Sequence, residues 1–236
     1  MNIWFASGNV HKKRELVAIL GDSAILGDSA ILGDAYNLLI PSDAGLDFDP
    51  EETGTSFREN ALLKARELYS LLREHPKGVW RRGEPVIADD SGICVDALGG
   101  RPGIFSARYA GAYSGGTEIA GKTKKLEASE RNALLLEELG DNPQRAARFV
   151  CAMALMFSPD RFFVAQETFE GEIVKGPEYA RGIGGFGYDP ILFIPASGCT
   201  VAELSEEEKN TVSHRAKAGK IIAAVLRAEL HCQNSK

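Results

Sequence analysis

Asp89 and Asp90 stand side by side in the run Val86-Ile87-Ala88-Asp89-Asp90-Ser91-Gly92, directly after three apolar strand-forming residues. A buried strand ending in Asp-Asp brings two negative charges to one place, where desolvation and mutual repulsion make them costly unless a cation answers them. Hard carboxylate oxygens suit Mg²⁺. Two acids facing solvent from a loop would give the same dipeptide, so the decision falls to other segments.

Four of them bear on it. Ser7-Gly8-Asn9-Val10-His11-Lys12 joins an apolar strand, Asn2 to Ala6, to a helix expected over Lys12 to Leu20. Such a turn offers backbone N–H groups and a positive dipole end to an anion, and Lys12 and Lys13 add charge suited to a polyphosphate. A plain N-cap with solvated lysines is the competing reading. Next, Glu51 and Glu52 precede a helix opened by Ser56-x-x-Glu59 and carrying Asn60 and Lys64 one turn apart. Glu52 could give a cation a further carboxylate and Lys64 could face phosphate, although a solvated helix entry has the same pattern. Third, Gly182 to Pro190 contains a formal G-x-G-x-x-G, but it precedes a strand instead of opening a helix, which excludes a dinucleotide fingerprint. A glycine loop presenting Phe186 and Tyr188 suits base stacking, or else a tight turn with core aromatics. Last, His214 and Arg215 open a final helix behind the acidic run Glu206 to Glu208, as ligand contacts or as structural residues.

Helices at Lys12 to Leu20, Ser56 to Arg73, Thr117 to Leu139 and Ser213 to Leu230 would position these groups. Strands are expected at Asn2 to Ala6, Asn37 to Ile40, Val86 to Ala88, Ala146 to Phe157, Arg161 to Val174 and Ile191 to Ile194. Ser158-Pro159-Asp160 turns one long strand into the next as a hairpin. The mixture reads as an α/β fold with a long, partly antiparallel sheet. No low-complexity linker divides the chain, so residues 1–236 are read as a single domain. Three tandem six-residue copies over 18–35 (Ala-Ile-Leu-Gly-Asp-Ser and variants) are too few for a solenoid and read as a local duplication in a connection.

A chain of 236 residues with 44% hydrophobic content can bury a substantial core. The net charge of −6 argues against broad nucleic-acid binding. The four cysteines, Cys94, Cys151, Cys199 and Cys232, lie far apart with no C-x-x-C, which favours reduced thiols, with Cys94 and Cys151 as core residues. The apolar N-terminal run is too short for a signal or a membrane span, giving a cytoplasmic expectation.

In this order, five motifs resemble the Ham1-like inosine triphosphate pyrophosphatase family. They are Ser7-Gly-Asn-Val-His-Lys12 with Glu15-Leu16; Glu51-Glu-Thr-Gly54 with Asn60 and Lys64; Asp89-Asp-Ser-Gly92 through Gly99-Gly-x-Pro-Gly103 to Ser106-Ala-Arg-Tyr109; Gly184-Gly-Phe-Gly-Tyr-Asp-Pro190; and Ser213-His-Arg215. The resemblance runs to residue 215; the tandem repeat and the Trp80-Arg81-Arg82 loop fall outside its motifs.

It implies two α/β lobes around a long mixed sheet, a central nucleotide cleft and a homodimer. It also implies Mg²⁺-dependent hydrolysis of deaminated purine triphosphates (ITP, dITP, XTP) to monophosphate and pyrophosphate. No covalent intermediate, nucleic acid or membrane is implied. Asp90 would be general base and metal ligand, Glu52 a second ligand, and Asp89 would support them. Ser7, Gly8, Asn9, Val10, His11, Lys12, Lys64 and Ser91 would hold phosphate or sugar, and Lys209 would reach the nucleotide. Phe186, with Gly187 and Tyr188, would form the base platform. Arg215 or His214 would donate to a 6-oxo oxygen while Asp189 accepts from a ring N–H. Unpaired groups would then penalise adenine by roughly 10⁴-fold. The alternatives were a Maf-like pyrophosphatase, which would start with a Ser-x-Ser-Pro-Arg-Arg loop; a silent nucleotide-binding module; and an RNA-binding protein.

Overall fold

The computed structural model describes residues 2–21, 37–109 and 126–234. Ile3, Trp4 and Phe5 are all buried in β1 (Asn2–Phe5), as expected of a parallel strand covered on both faces. It pairs in parallel with β2 (Asn37–Leu39), Ile3 opposite Leu38, and with β3 (Val86–Val95), Trp4 opposite Val86. β4 (Ala146–Ser158) and β5 (Arg161–Ile173) are adjacent strands joined by the two-residue turn at Pro159 and Asp160, as the hairpin expectation had it. β6 (Leu192–Ile194) pairs antiparallel with β5, Ile173 opposite Leu192, and β7 (Cys199–Thr200) antiparallel with β6. The strand order β2-β1-β3-β4-β5-β6-β7 makes one mixed sheet, and the fold is α/β.

The chain forms two compact units. The first comprises residues 1–90, 151–167 and 210–236. Its core joins Ile3, Phe5, Ile87, Met153 and Leu155 of the strands to Leu16 and Leu20 of α1 (Val10–Gly21) and to Ala218, Ile222 and Leu226 of α5 (His214–Asn234). Leu16, Ile19 and Leu20 recur at helical spacing and give α1 its buried stripe. Cys151 lies in this core, and burial pushes its thiol up to about 12, so it behaves as a small apolar residue. α2 (Phe57–Arg73) also belongs here; its N-cap Ser56 accepts from Glu59 N, and Leu68 and Leu72 are buried.

The second unit comprises residues 91–150 and 168–209. Its core combines Ile93, Val95, Phe149, Phe169 and Leu192 with Leu135, Leu136 and Leu139 of α3 (Ala128–Leu139). A further short helix, α4 (Glu206–Val212), starts at its end and holds the exposed acidic run.

Three expectations change. β3 does not end at the acidic pair but continues for five residues to Val95. The helix expected from Thr117 is described from Ala128 only; residues 110–125, like residues 22–36 with most of the tandem copies, lie outside the described residues. Cys94, expected in a core, is only half-buried.

α1 and α5 approach so closely that a Cβ on Gly219 would lie 2.8 Å from Ile19 Cγ2. Ile19 is β-branched and cannot swing aside cheaply. Gly219→Ala is therefore expected to lower the unfolding free energy by about 1–3 kcal/mol in urea titrations, despite alanine's better helix propensity.

Candidate active site

Because Asp89 and Asp90 sit inside β3 instead of at its end, strand alternation sends their side chains to opposite faces. The expectation of two charges delivered to one spot gives way to two separate charge clusters. Both carboxylates are nearly inaccessible, 1% and 5% exposed.

Asp89 faces α1 and α5. Lys12 Nζ lies 3.1 Å from its Oδ1 and 3.0 Å from its Oδ2. Arg215 donates to Oδ2 from Nε at 3.2 Å and from Nη2 at 3.0 Å, and its Nη1 bonds Glu15 of α1. Arg215 itself is 1% exposed. Asp90 faces α2 instead. Lys64 Nζ donates to its Oδ1 at 3.0 Å and to the Asp89 carbonyl at 3.2 Å, and it also meets Glu52 Oε1. Asn60 Nδ2 donates to Asp90 Oδ2 at 3.2 Å while Asn60 Oδ1 accepts from Gly54 N at 2.8 Å. That second bond fixes the amide so that its donor end meets the carboxylate.

Burial is the largest influence on each acid, and the outcomes diverge. For Asp89 the charges of Lys12, Arg215 and Lys64 outweigh burial and hold the carboxyl well below the usual range. For Asp90 burial prevails over Lys64, with Glu52 adding repulsion, and the carboxyl is raised. Lys64 is raised as well: burial opposes its charge, but Asp90, Asp89 and Glu52 together overcome that. One acid is thus locked as an anion, and its neighbour is the more basic.

Among the described residues no three His, Cys, Asp or Glu side chains cluster as a metal-binding set. Mg²⁺ does not require one, since it is commonly held by one or two carboxylates with waters and substrate phosphates. Glu52 and Asp90 fit that description: their oxygens converge within 3.0 Å of a single cationic nitrogen, that of Lys64. Asp89, expected to support the metal, has its oxygens turned on Lys12 and Arg215 instead.

The Ser7 to Lys12 turn differs from its expectation in one respect. Asn9 Oδ1 accepts from His11 N at 2.9 Å and Lys12 N at 3.2 Å, and Ser7 Oγ accepts from Asn9 N at 3.1 Å. Two of the helix-start donors expected to meet phosphate are therefore capped by the protein itself. Lys13 turns to Asp43 at 3.3 Å. Gly8, Val10 and His11 are exposed, and Ser91 is half-buried in β3.

Phe186, Gly187, Tyr188, Asp189 and Lys209 lie in the second unit. Asp189 Oδ2 accepts from Phe186 N at 2.7 Å and from Lys209 Nζ at 2.8 Å. The same ammonium lies 4.7 Å from the Phe186 ring centroid, a cation–π contact. Tyr188 is buried and donates its hydroxyl to Ser106 O at 2.8 Å, so it is not an open stacking face. His214, the first residue of α5, is buried in the first unit.

A Ham1 family model matches residues 3–225. The chain belongs to the Ham1 family. It is 43% identical to the dITP/XTP pyrophosphatase of Treponema denticola, covering 92% of this chain and 94% of that protein. It is 41% identical to the dITP/XTP pyrophosphatase of Escherichia coli K12, covering 94% and 96%. The Staphylococcus aureus Ham1 protein superposes with a TM-score of 0.72 at 34% identity, over 97% of this chain and all of that one.

Within this member of the family, the sequence assigned no role to Glu15 or Ser106, although both lie inside the matched motifs, and did not single out Asn132. Glu15 had a signal, since one helical turn separates Leu16's neighbour from Lys12 on the face toward β3. Ser106 and Asn132 act through backbone carbonyls and carried none.

Because Asp89 is depressed in the folded chain, its contribution is fully present above the unfolded value near 4 and is lost as pH falls toward the folded value. Asp89→Asn strands Lys12 and Arg215 and is expected to cost about 3–5 kcal/mol at pH 7 by denaturant titration. The variant should also show a shallower loss of stability than wild type below pH 4.

Proposed function

We propose that this chain hydrolyses deaminated purine nucleoside triphosphates (ITP, dITP and XTP) to the monophosphate and pyrophosphate, removing them before they enter DNA or RNA. What carries the reading is identity above 40% to dITP/XTP pyrophosphatases over more than nine-tenths of both chains. The Glu52–Lys64–Asp90 cluster supports it with chemistry suited to a triphosphate.

The α-phosphorus of a triphosphate resists attack because its oxygens repel a nucleophile and pyrophosphate is a charged leaving group. Mg²⁺, held by Glu52 and Asp90, would supply charge neutralisation of the phosphates and a more acidic attacking water. Asp90 would orient the attacking water and accept its proton; beside a bound divalent cation its help comes from orientation more than from proton affinity. Lys64 and Lys12 neutralise phosphate oxygens, and Ser7, Asn9 and Ser91 add polar contacts to phosphate or sugar. Phe186 supplies the stacking face, and in this reading Lys209 also contacts the nucleotide. Asp189, whose Oδ2 also accepts from Phe186 N and Lys209 Nζ, accepts from a ring N–H in this reading. Arg215 changes role: with its guanidinium on Asp89 and Glu15 it holds Asp89 in place, and the 6-oxo contact passes to His214. A homodimer acting in the cytoplasm belongs to the same reading; among the described residues no helix is long and apolar enough to cross a membrane.

Pyrophosphate release from inosine, xanthosine, guanosine, adenosine and thymidine triphosphates tests the reading directly. Fast release from the first two, abolished by chelator and restored by Mg²⁺, is expected; turnover of the pyrimidine would contradict it. Asp90→Asn should cut turnover of inosine triphosphate at least about 100-fold while leaving its binding intact, and near-wild-type turnover would remove Asp90 as the base. With Arg215→Lys, a fall in stability at an unchanged inosine-to-adenosine preference is expected; a collapsed preference would return Arg215 to base reading.

A further inference from the structure

The loop that presents Phe186 and Asp189 is anchored by Tyr188 in the core, while its glycine half, residues 182–185, is exposed. Gly185 and Gly187 hold φ values of 70° and 67°, where side-chain-bearing residues are strained. They and Phe186 line an open pocket of about 390 Å³ together with Asn132, Leu136, Ile183 and Ile191. Polar contacts, such as Gly184 N to Ala202 O at 3.2 Å, help to fix the shape of this glycine-rich stretch.

Asn132 of α3 supplies one of them. Its Nδ2 donates to the Gly187 carbonyl at 3.1 Å, across 55 residues of sequence. The residue is 8% exposed, and its Oδ1 is buried without a hydrogen-bond partner among the described residues. An unpaired buried acceptor is a standing cost to stability. Its helix neighbours Leu135 and Leu136 belong to the apolar core, where a leucine would pack at position 132 without that cost. The amide orientation is dictated by Gly187, whose carbonyl accepts and cannot donate. The feature that distinguishes asparagine from a better-packing residue here is its donor.

We propose that Asn132 is a positioning residue for base recognition: by clamping the Gly187 carbonyl it fixes the loop so that the Phe186 ring and the Asp189 carboxylate stand ready for the purine. This rests on the reading that Phe186 stacks on the base. In this role Asn132 acts through the loop and not by contact with the nucleotide.

The test uses the full-length chain, with calorimetric binding of inosine monophosphate, which carries the base, and of pyrophosphate, which does not. Asn132→Leu is expected to weaken inosine monophosphate about tenfold and leave pyrophosphate affinity unchanged, with Tm close to that of wild type, because the Gly187 carbonyl left unpaired offsets the removal of the unpaired Oδ1. Asn132→Asp sets a carboxylate against the Gly187 carbonyl and should show the same split, which keeps the test open if the leucine variant fails to fold. Unchanged inosine monophosphate affinity in either folded variant overturns the proposal. So does a parallel loss for both ligands with a lowered Tm, which would mark Asn132 as merely structural. Phe186→Ala separates the two levels. Undiminished inosine monophosphate affinity there removes the stacking reading and the positioning role with it, whereas a loss there beside full affinity in both Asn132 variants overturns the positioning role alone.

Discussion

Two adjacent carboxylates buried in the middle of a strand are the constraint around which the first unit is organised. Neither Asp89 nor Asp90 can remain there as an isolated anion, because removing a charge from water costs more than a fold of this size can spare. The chain answers each one separately. Lys12 and Arg215 come to Asp89 from two helices packed on one another, and Lys64 and Asn60 come to Asp90 from a third. The close approach of α1 and α5 at Gly219 and Ile19 is thereby more than a packing detail. It brings Glu15 and Arg215 together, and with them the charge that keeps Asp89 ionised.

The asymmetry between the two acids follows from the number of cations each receives. Asp89 has two full partners and a share of a third, which outweighs burial; Asp90 shares Lys64 with Glu52, and burial wins. A single backbone register therefore yields one permanently charged anchor and one more basic carboxylate. Lys64 stands where two acids converge, so a divalent cation and a triphosphate would rearrange its pairing instead of meeting an empty space. In the second unit a related economy operates. Asp189 holds the Phe186 backbone and Lys209 at one oxygen, so the aromatic ring, the acid and the ammonium are arranged as one group.

Much of this was legible in the residues themselves. Apolar runs and helical spacing located β1, β4, α2 and the start of α1 within a residue or two, because these elements bury apolar faces, and the Ser158-Pro159-Asp160 turn located β5. Ser56 as a cap, the pairing of Asn60 with Lys64 on one helical face, and the acidic pair as a charged centre were also visible, since each depends on local chemistry at fixed spacing. The family relationship was carried by five ordered motifs, which survive any uncertainty in element boundaries.

Tertiary structure decided what these motifs touch. Composition could not reveal that β3 continues beyond Asp90, because the apolar run stops at Ala88 and Ser91 and Gly92 carry no strand preference of their own. That continuation separates the two acids onto opposite faces. The same holds for Arg215, which as a sequence is a free donor at a helix start and in three dimensions is consumed by Asp89 and Glu15 from partners up to 200 positions away. Side-chain-to-carbonyl contacts such as Asn132 to Gly187 leave no trace in residue type, since every residue has a carbonyl. Sequence determined which charges exist and which elements carry them; only the packing of those elements fixed which charges meet, because pairing energies depend on distance and burial, and neither is a property of the chain taken one residue at a time.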